Sequence, residues 1–347
     1  MAIIQGGMGV GISLSGLASA VAASGGLGVI SAAGIGMNEP DFASNYVEAN
    51  NRALAREIRA ARAATTGALG VNILVATANF AELVKTAIKE NIDVIFSGAG
   101  LPLDLPSYLK EGSKTKLVPI ISSARAAVIL CKKWLLRFGR TPDAFVVEGP
   151  MAGGHLGFKA EQLEDPAFAL EKLVSEVLAG LVPYKGPNGL PIPVIAAGGV
   201  YTGSDIRRFI ELGAAGVQMG TRFVATHECD ADERFKQSYI DAREEDLVII
   251  KSPVGMPGRA INNEFLERVA NGGKTPSTCP FHCILPCEHN KAPYCITLAL
   301  ANAQKGRLKS GFAFAGQNAW RVDRIVSVAE LFKELVSQYE GAVATAV

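Results

Sequence analysis

Residues 193–220 read PVIAAGGVYTGSDIRRFIELGAAGVQMG, and their pattern decides the fold. An apolar run at 193–199 ends in two glycines, a polar stretch with helical spacing follows at 204–212, and a second apolar run covers 215–220. Apolar runs without polar alternation are typical of parallel strands that are covered on both faces of a sheet. The stretch therefore predicts a strand, a helix and a second strand parallel to the first.

The same unit recurs along the whole first part of the chain. The candidate strands are 2–5, 27–31, 69–74, 93–98, 117–122, 144–149, 193–199 and 215–220. The candidate helices are 14–24, 41–62, 79–90, 124–138, 168–182, 204–212 and 231–244. Eight such units predict an α/β protein with a (β/α)8 TIM barrel, and the competing arrangement is a doubly wound sheet. We favour the barrel because no early G-x-G-x-x-G unit dominates the chain.

The composition changes near residue 250. Beyond it we predict loops, a cluster of cysteines, and helices near 294–306 and 327–340. We therefore expect residues 1–250 to form the barrel. Residues 251–347 are expected to form a C-terminal extension that packs on it.

Composition and charge narrow the range of functions. The chain has 347 residues, 49% of them hydrophobic, and a formal net charge of +1. This balance predicts no nucleic-acid partner and no membrane partner. The apolar stretch 14–34 lacks a basic leader and a long uninterrupted span, so we do not interpret it as a signal peptide. We expect a cytoplasmic protein that acts on a small-molecule substrate; a homodimer is compatible with the sequence.

Glycine-rich segments follow several predicted strands. They are QGGMGVG (5–11), EGPMAGGHLG (148–157), AAGGVYTGSD (196–205) and QMGTRF (218–223). Ligands of this barrel lie at the carboxyl ends of the strands, and the loops after strands 7 and 8 commonly hold a phosphate. Glycine lets a ligand approach backbone N–H groups closely. The sequence thus predicts a phosphorylated ligand at Gly198, Gly199, Gly220 and Thr221.

His155 is the strongest candidate for a catalytic residue. The chain has four histidines, and this one lies among small residues just after strand 6. An imidazole exchanges a proton near neutral pH, which suits a base or a hydrogen-bond partner. The alternative is a loop histidine that donates one N–H to a carbonyl. We expect His227, Lys251 and Arg259 to be loop or surface residues, although the last two could also line a substrate entrance or bind a nucleotide phosphate.

Five segments together resemble one enzyme family. They are IIQGGMGVGIS (3–13), GVNI (70–73), EGPMAGGHLG (148–157), PVIAAGGV (193–200) and GVQMGTRF (216–223). In order and spacing, over about residues 1–265, they are similar to the nitronate monooxygenase (2-nitropropane dioxygenase) family, which includes flavin-dependent enoyl-ACP reductases and some NADH:quinone reductases. The resemblance implies a barrel that binds FMN without a covalent link.

Site residues are implied by the same resemblance. His155 would face the substrate above the flavin as a base or hydrogen-bond partner. The implied cofactor-binding residues are Gly6, Gly7, Met8, Asn72, Glu148, Gly153, Gly198, Gly199, Gln218, Met219, Gly220 and Thr221. Many nitronate monooxygenases have Gln where this chain has Glu148, and a carboxylate there would disfavour an anionic reduced flavin.

The implied reaction is the oxidation of alkyl nitronates through FMN, with O₂ reoxidising the flavin. An alternative is an NAD(P)H-dependent flavin reductase of an enoyl thioester or a quinone. A more distant alternative, from another class, is a phosphate-ligand sensor without turnover.

The segment CPFHCILPCEHNKAPYC (279–295) carries the cysteine cluster. Cys279, Cys283, Cys287 and Cys295 follow a C-x₃-C-x₃-C-x₇-C spacing, with two histidines interleaved. The spacing is neither that of common zinc ribbons nor the usual ferredoxin run. Four thiols in so short a loop predict an iron–sulfur cluster or a zinc ion, and the alternative is a set of reduced structural or redox cysteines.

Overall fold

The computed structural model describes residues 2–274, 279 and 281–344. Its strands are β1 (Ala2–Gln5), β2 (Gly28–Ser31), β3 (Leu69–Leu74), β4 (Val94–Gly98), β5 (Lys116–Ile121), β6 (Phe145–Glu148), β7 (Gly154–His155), β8 (Val194–Ala197), β9 (Gly216–Met219), β10 (Leu247–Lys251) and β11 (Pro257–Ile261). Eight of them form one parallel sheet in the order β1-β9-β8-β6-β5-β4-β3-β2. All eight predicted strands are confirmed, with ends that agree within two residues.

The two outer strands of that sheet meet and close a barrel. The amide of Leu27, next to β2, donates to the carbonyl of Ile3 on β1 at 3.0 Å. The amide of Gln5 donates in return to the carbonyl of Leu27, also at 3.0 Å. The (β/α)8 prediction is thereby confirmed, and the doubly wound sheet is excluded.

In the part of the chain that the structure describes, six helices connect successive strands of the barrel, and five further helices follow the last barrel strand. They are α1 (Ser15–Ala23), α2 (Tyr46–Ala64), α3 (Phe80–Lys89), α4 (Ala124–Phe138), α5 (Leu170–Leu181), α6 (Gly203–Glu211), α7 (Thr221–Val224), α8 (Glu233–Ile240), α9 (Glu264–Ala270), α10 (Ile296–Gln304) and α11 (Val328–Ala344). After β4 the connection is only a 3₁₀ turn, Leu105–Tyr108, which carries a proline in its first turn. Within the described ranges, no helix has both the length and the apolarity that a membrane crossing requires.

The N-cap residue of α6 is not the one that the sequence suggests. Asp205 looks like the N-cap, but Thr202 holds that position and accepts a hydrogen bond from the Asp205 amide at 3.1 Å. The Asp205 carboxylate in turn accepts the Thr202 amide at 2.9 Å. The pair forms a reciprocal capping box, which satisfies two amides at the helix start.

Two apolar layers fix which side chains face the barrel mouth. The inside of the barrel is filled by Ile4, Val29, Phe96, Val118, Val146 and Ile195. A second core lies between the strands and the helices. Side chains alternate along a strand, so the residues two positions beyond Ile4 and Val146, Gly6 and Glu148, face the mouth.

The extension is joined to the barrel by a small sheet. Strands β10 and β11 form an antiparallel hairpin, and β11 pairs with β7, where His155 lies opposite Gly258. We expected loops here, and the predicted boundary at residue 250 falls inside β10. On the opposite flank α11 packs so closely on α6 that a Cβ at Gly203 would lie 2.1 Å from the Leu335 carbonyl oxygen.

Candidate active site at the barrel mouth

The turn after β1 crosses the mouth and touches β3. The Gly6 amide donates to the carbonyl of Met219 at 2.8 Å. A Cβ at Gly7 would lie 2.4 Å from the Cβ of Asn72, so only glycine allows this approach. The side chain of Gln5 binds the Gly6 carbonyl and accepts the amide of Val29 at 2.9 Å. These contacts bring Gly6, Gly7 and Asn72 together, as the resemblance implied.

The turn after β8 is the second side of the mouth. Gly198 and Gly199 have φ values of +85° and +105°, in the region that favours glycine. A Cβ at Gly198 would lie 2.8 Å from the carbonyl oxygen of Gly149. The side-chain Nδ2 of Asn318, from the extension, donates to the Gly199 carbonyl at 2.8 Å. The sequence alone did not point to Asn318.

Space for a ligand opens beside the end of β9. A Cβ at Gly220 would meet only the sulfur of Met8, at 3.8 Å. Thr221 follows, and its hydroxyl oxygen accepts the amide of Gly316 at 3.2 Å. Glycines with room in front of them and a neighbouring hydroxyl fit a phosphate group, so this part of the mouth fits the phosphate end of FMN.

The side chains of the adjacent residues Gln218 and Met219 lie on opposite sides of β9. The Gln218 side chain lies against Gly6, 3.4 Å from where its Cβ would be, and is half-buried at the mouth. The Met219 side chain is buried in the outer core between the strands and helices. Only the Met219 backbone therefore reaches the mouth, through the carbonyl that holds Gly6.

Glu148 ends β6 on the inward side of the barrel. Burial raises the pKa of its carboxyl from 4.5 to about 7, and no nearby cation opposes this shift. The carboxyl is therefore close to half neutral at physiological pH. A half-buried acid with a strongly shifted pKa and no charged partner is a feature common in functional sites.

His155 lies on β7, in the segment that follows β6 at the carboxyl end of the barrel strands, in contact with the extension. Its Nε2 shares a hydrogen bond of 2.7 Å with the hydroxyl of Ser252. Its ring packs edge-on against Phe314, with ring centres 5.0 Å apart. Burial lowers the pKa of His155 to about 4, so the imidazole is neutral at physiological pH.

Arg259 clamps the loop that carries His155. Its guanidinium donates to the carbonyls of Pro150 and Ala152, the latter at 2.8 Å. Its side chain is buried, and burial lowers its pKa to about 10. The expectation of a surface charge is wrong for Arg259, because β11 carries the residue under the loop. His227 and Lys251 are exposed, as expected for surface residues.

The loop also packs against the extension at Gly153. A Cβ there would lie 2.5 Å from the carbonyl carbon of Ala315. The sequence predicted His155 and Gly153 as site residues but did not point to Ser252 and Phe314, which lie roughly one hundred residues or more further along the chain. The run LVIIK at 247–251, followed by a turn glycine, was the one available sign of the hairpin that carries Ser252.

The cysteine loop lies at the same end of the barrel. The Ala78 amide, in the segment after β3, donates to the Cys283 carbonyl at 3.0 Å, and Leu285 donates to Ala76 at 2.9 Å. The thiol of Cys283 lies 3.2 Å from the Thr297 hydroxyl, and Cys295 immediately precedes α10 without a side-chain capping hydrogen bond. In the part of the chain that the structure describes, no three His, Cys, Asp or Glu side chains are grouped closely enough to hold a metal ion.

Comparison with known proteins identifies the family of this chain. The family model described as nitronate monooxygenase matches residues 1–338. A probable nitronate monooxygenase of Staphylococcus aureus (strain Newman) is 31% identical over 54% of this chain and 48% of its own length. A (3aS,4S,5R,7aS)-5-hydroxy-7a-methyl-1-oxo-octahydro-1H-indene-4-carboxyl-CoA dehydrogenase of Mycobacterium tuberculosis is 30% identical over 78% of this chain and 66% of its own length. The matches thus span between about half and two thirds of these relatives.

One solved structure is similar over nearly the whole chain. It is FabK from Thermotoga maritima, with a TM-score of 0.75 and 28% identity, covering 99% of this chain and 94% of its own. The family model covers the barrel, the His155 loop and most of the extension together. The chain therefore belongs to the nitronate monooxygenase family, whose members are flavin-dependent oxidoreductases.

Proposed function

We propose that this protein is an FMN-dependent oxidoreductase that oxidises alkyl nitronates. The proposal is supported by one shared position: the loop with His155 and the glycine turns after β1, β8 and β9 all follow the carboxyl ends of barrel strands. Bound FMN would accept electrons from the substrate and pass them to O₂.

The chain's own residues have separate roles in this proposal. The turns at Gly198–Gly199 and Gly220–Thr221 would bind the phosphate, while Gly6, Gly7 and Asn72 would lie beside the ring system. His155 would hold the substrate by a hydrogen bond. Because its pKa is lowered to about 4, the imidazole is a weak base, and an already ionised nitronate suits it better than a neutral nitroalkane.

Glu148 favours a second candidate, an NAD(P)H-dependent reductase of an enoyl thioester or a quinone. A carboxyl group whose pKa is raised to about 7 carries a partial negative charge at neutral pH, and that charge would repel an anionic nitronate. A neutral thioester would not be repelled. The Mycobacterium tuberculosis relative named above is a dehydrogenase of a carboxyl-CoA compound, which supports this class of substrate.

Anaerobic reduction of the flavin distinguishes the two candidates. The FMN-loaded protein is mixed with ethylnitronate, then in separate experiments with NADH or NADPH, and the loss of flavin absorbance is followed. We expect rapid bleaching by the nitronate. Rapid bleaching by a nicotinamide nucleotide, with none by nitronate, would replace the first candidate by the second.

We also infer that the cysteine loop binds an iron–sulfur cluster or, as the alternative, zinc. Support comes from the spacing of Cys279, Cys283, Cys287 and Cys295 and from the backbone contacts between this loop and the segment after β3. Metal binding requires deprotonated thiols, and a metal often assembles its own ligand set, so the thiols would have to move together.

Iron, zinc and acid-labile sulfide are measured in protein purified without oxygen. We expect metal in the native chain and its loss in Cys287→Ser, with Cys131→Ala as the control. Metal-free native protein would refute this inference.

A further inference from the structure

We propose that Ser252, in the extension, is a positioning residue that holds His155 as the tautomer with its proton on Nδ1. This inference deepens the proposed function, since it rests on His155 as the residue that meets the substrate. Ser252 lies 97 positions along the chain from His155 and outside the predicted barrel. The contact is therefore a link between the extension and the reaction site.

The backbone places Ser252 firmly. Its amide donates to the Met256 carbonyl at 3.0 Å, and its own carbonyl accepts the amide of Gly255 at 2.9 Å, so it begins the turn between β10 and β11. β11 in turn pairs with β7, and the Leu156 amide donates to the Pro257 carbonyl at 2.9 Å. The hydroxyl and the imidazole are thus carried on two strands of one small sheet.

Hydrogen-bond accounting decides the direction of the bond. Ser252 as a residue is only 3% exposed, so its hydroxyl hydrogen needs an acceptor within the protein. Among the described residues, the Nε2 atom of His155, at 2.7 Å, is the acceptor available to that hydrogen. The hydroxyl oxygen itself accepts only a long contact of 3.4 Å from the Val254 amide. Ser252 therefore donates to Nε2.

The tautomer follows from that direction. A neutral imidazole has one N–H hydrogen shared between two possible ring nitrogens, and the nitrogen that accepts a hydrogen bond is the one without it. The hydrogen is then on Nδ1, and His155 offers a ligand an N–H donor in place of a lone pair. Phe314, edge-on to the ring at 5.0 Å, limits rotation of the imidazole. A fixed N–H donor suits an oxygen that carries or develops negative charge, such as a nitronate oxygen or a thioester carbonyl.

The ring state can be read directly by nitrogen NMR. The chain has four histidines, so protein labelled with ¹⁵N-histidine gives few signals, and His155→Gln identifies those of residue 155. We expect the native protein at pH 7 to show a protonated Nδ1 and an unprotonated Nε2. A protonated Nε2 in the native protein would overturn the proposal, and this test requires no Ser252 variant to fold.

Variants test the consequence for turnover. Ser252→Ala should give averaged ring signals and lower kcat by about tenfold to a hundredfold, with a much smaller change in KM. Ser252→Thr keeps the hydroxyl and should keep the Nδ1–H signal and most of the turnover. Ser310→Ala, an exposed serine of the extension, is the control and should change neither. Native ring signals and native kcat in Ser252→Ala would refute the role of Ser252.

An error in the role of His155 and an error in the role of Ser252 would give different experimental results. If His155→Ala turns over as fast as the native protein, the function assigned to His155 is wrong. The ring signals of the native protein would still report the hydrogen bond between His155 and Ser252. If His155→Ala is inactive but Ser252→Ala is unchanged in signals and rate, only the positioning role is wrong.

Discussion

At the scale of single residues, two titratable groups give the site its chemical character. Burial shifts the pKa of Glu148 up to about 7 and that of His155 down to about 4. Both shifts favour the neutral form. The mouth thus combines a neutral imidazole with an acid that ionises near physiological pH, which matches hydrogen bonding to a substrate better than strong base catalysis.

His155→Ala should keep FMN and lose most turnover. The side chain contacts Ser252 and Phe314 and takes no part in the glycine turns that would hold the cofactor. Loss of a positioned hydrogen-bond or proton-transfer partner commonly lowers kcat by about 10²–10⁴-fold. Bound flavin is measured by absorbance and kcat by oxygen consumption. His227→Ala, at an exposed position, is the control, and native rates in His155→Ala would contradict the assignment.

Glu148→Gln should stabilise the cofactor-free protein at high pH. The folded protein keeps the Glu148 proton up to about pH 7, whereas the unfolded chain loses it near pH 4.5, so native stability falls as the pH rises between these values. Glutamine removes this loss, which amounts to at most about 3 kcal/mol for a partly exposed group.

Urea unfolding at pH 4 and pH 8 measures the effect of Glu148→Gln. The two proteins should have similar free energies of unfolding at pH 4, and the variant should be the more stable one at pH 8. An equal difference at both pH values would show that Glu148 does not titrate as described.

At the scale of elements, the turns that end β1 and β8 shape the mouth. Glycine is required after β8 because Gly198 has a φ of +85° and faces the carbonyl oxygen of Gly149. Backbone conformation and close approach therefore both require glycine at this position. The glycine pattern in the sequence predicted this turn as part of the candidate site.

Gly198→Ala should weaken FMN binding by at least about tenfold. Strain at positive φ costs about 1–2 kcal/mol, and the new methyl group must also displace the Gly149 segment. Gly189→Ala is a matched control: its φ is +78°, no atom lies within 4 Å of its Cβ, and it precedes β8 at the other end of the barrel. Flavin fluorescence titration should show native affinity in the control. Equal affinities in both variants would argue against phosphate binding at this turn.

Elements with local signals were predicted, and elements made by distant contacts were not. The barrel strands could be found because they are continuous apolar runs between helices. The hairpin β10–β11 was not predicted. It is stabilised by pairing with the two residues of β7, which lie about one hundred residues earlier in the chain, and no local pattern shows such a contact. Ser252 and Phe314 were missed for the same reason, and Arg259 was misjudged as a surface residue.

At the scale of the whole molecule, the extension completes the site that the barrel begins. Asn318 holds the turn after β8, Gly316 contacts Thr221, and Ser252 and Phe314 hold His155. On the other flank α11 packs on α6. The barrel supplies the glycine turns, and the extension supplies contacts to the imidazole of His155.

The central claim is that this mouth binds FMN, and the absorption spectrum of the purified protein tests it most directly. The account predicts flavin bands, with FMN released intact when the protein is denatured, in an amount close to one molecule per chain. Protein that is colourless after purification and remains colourless when FMN is added would contradict the account.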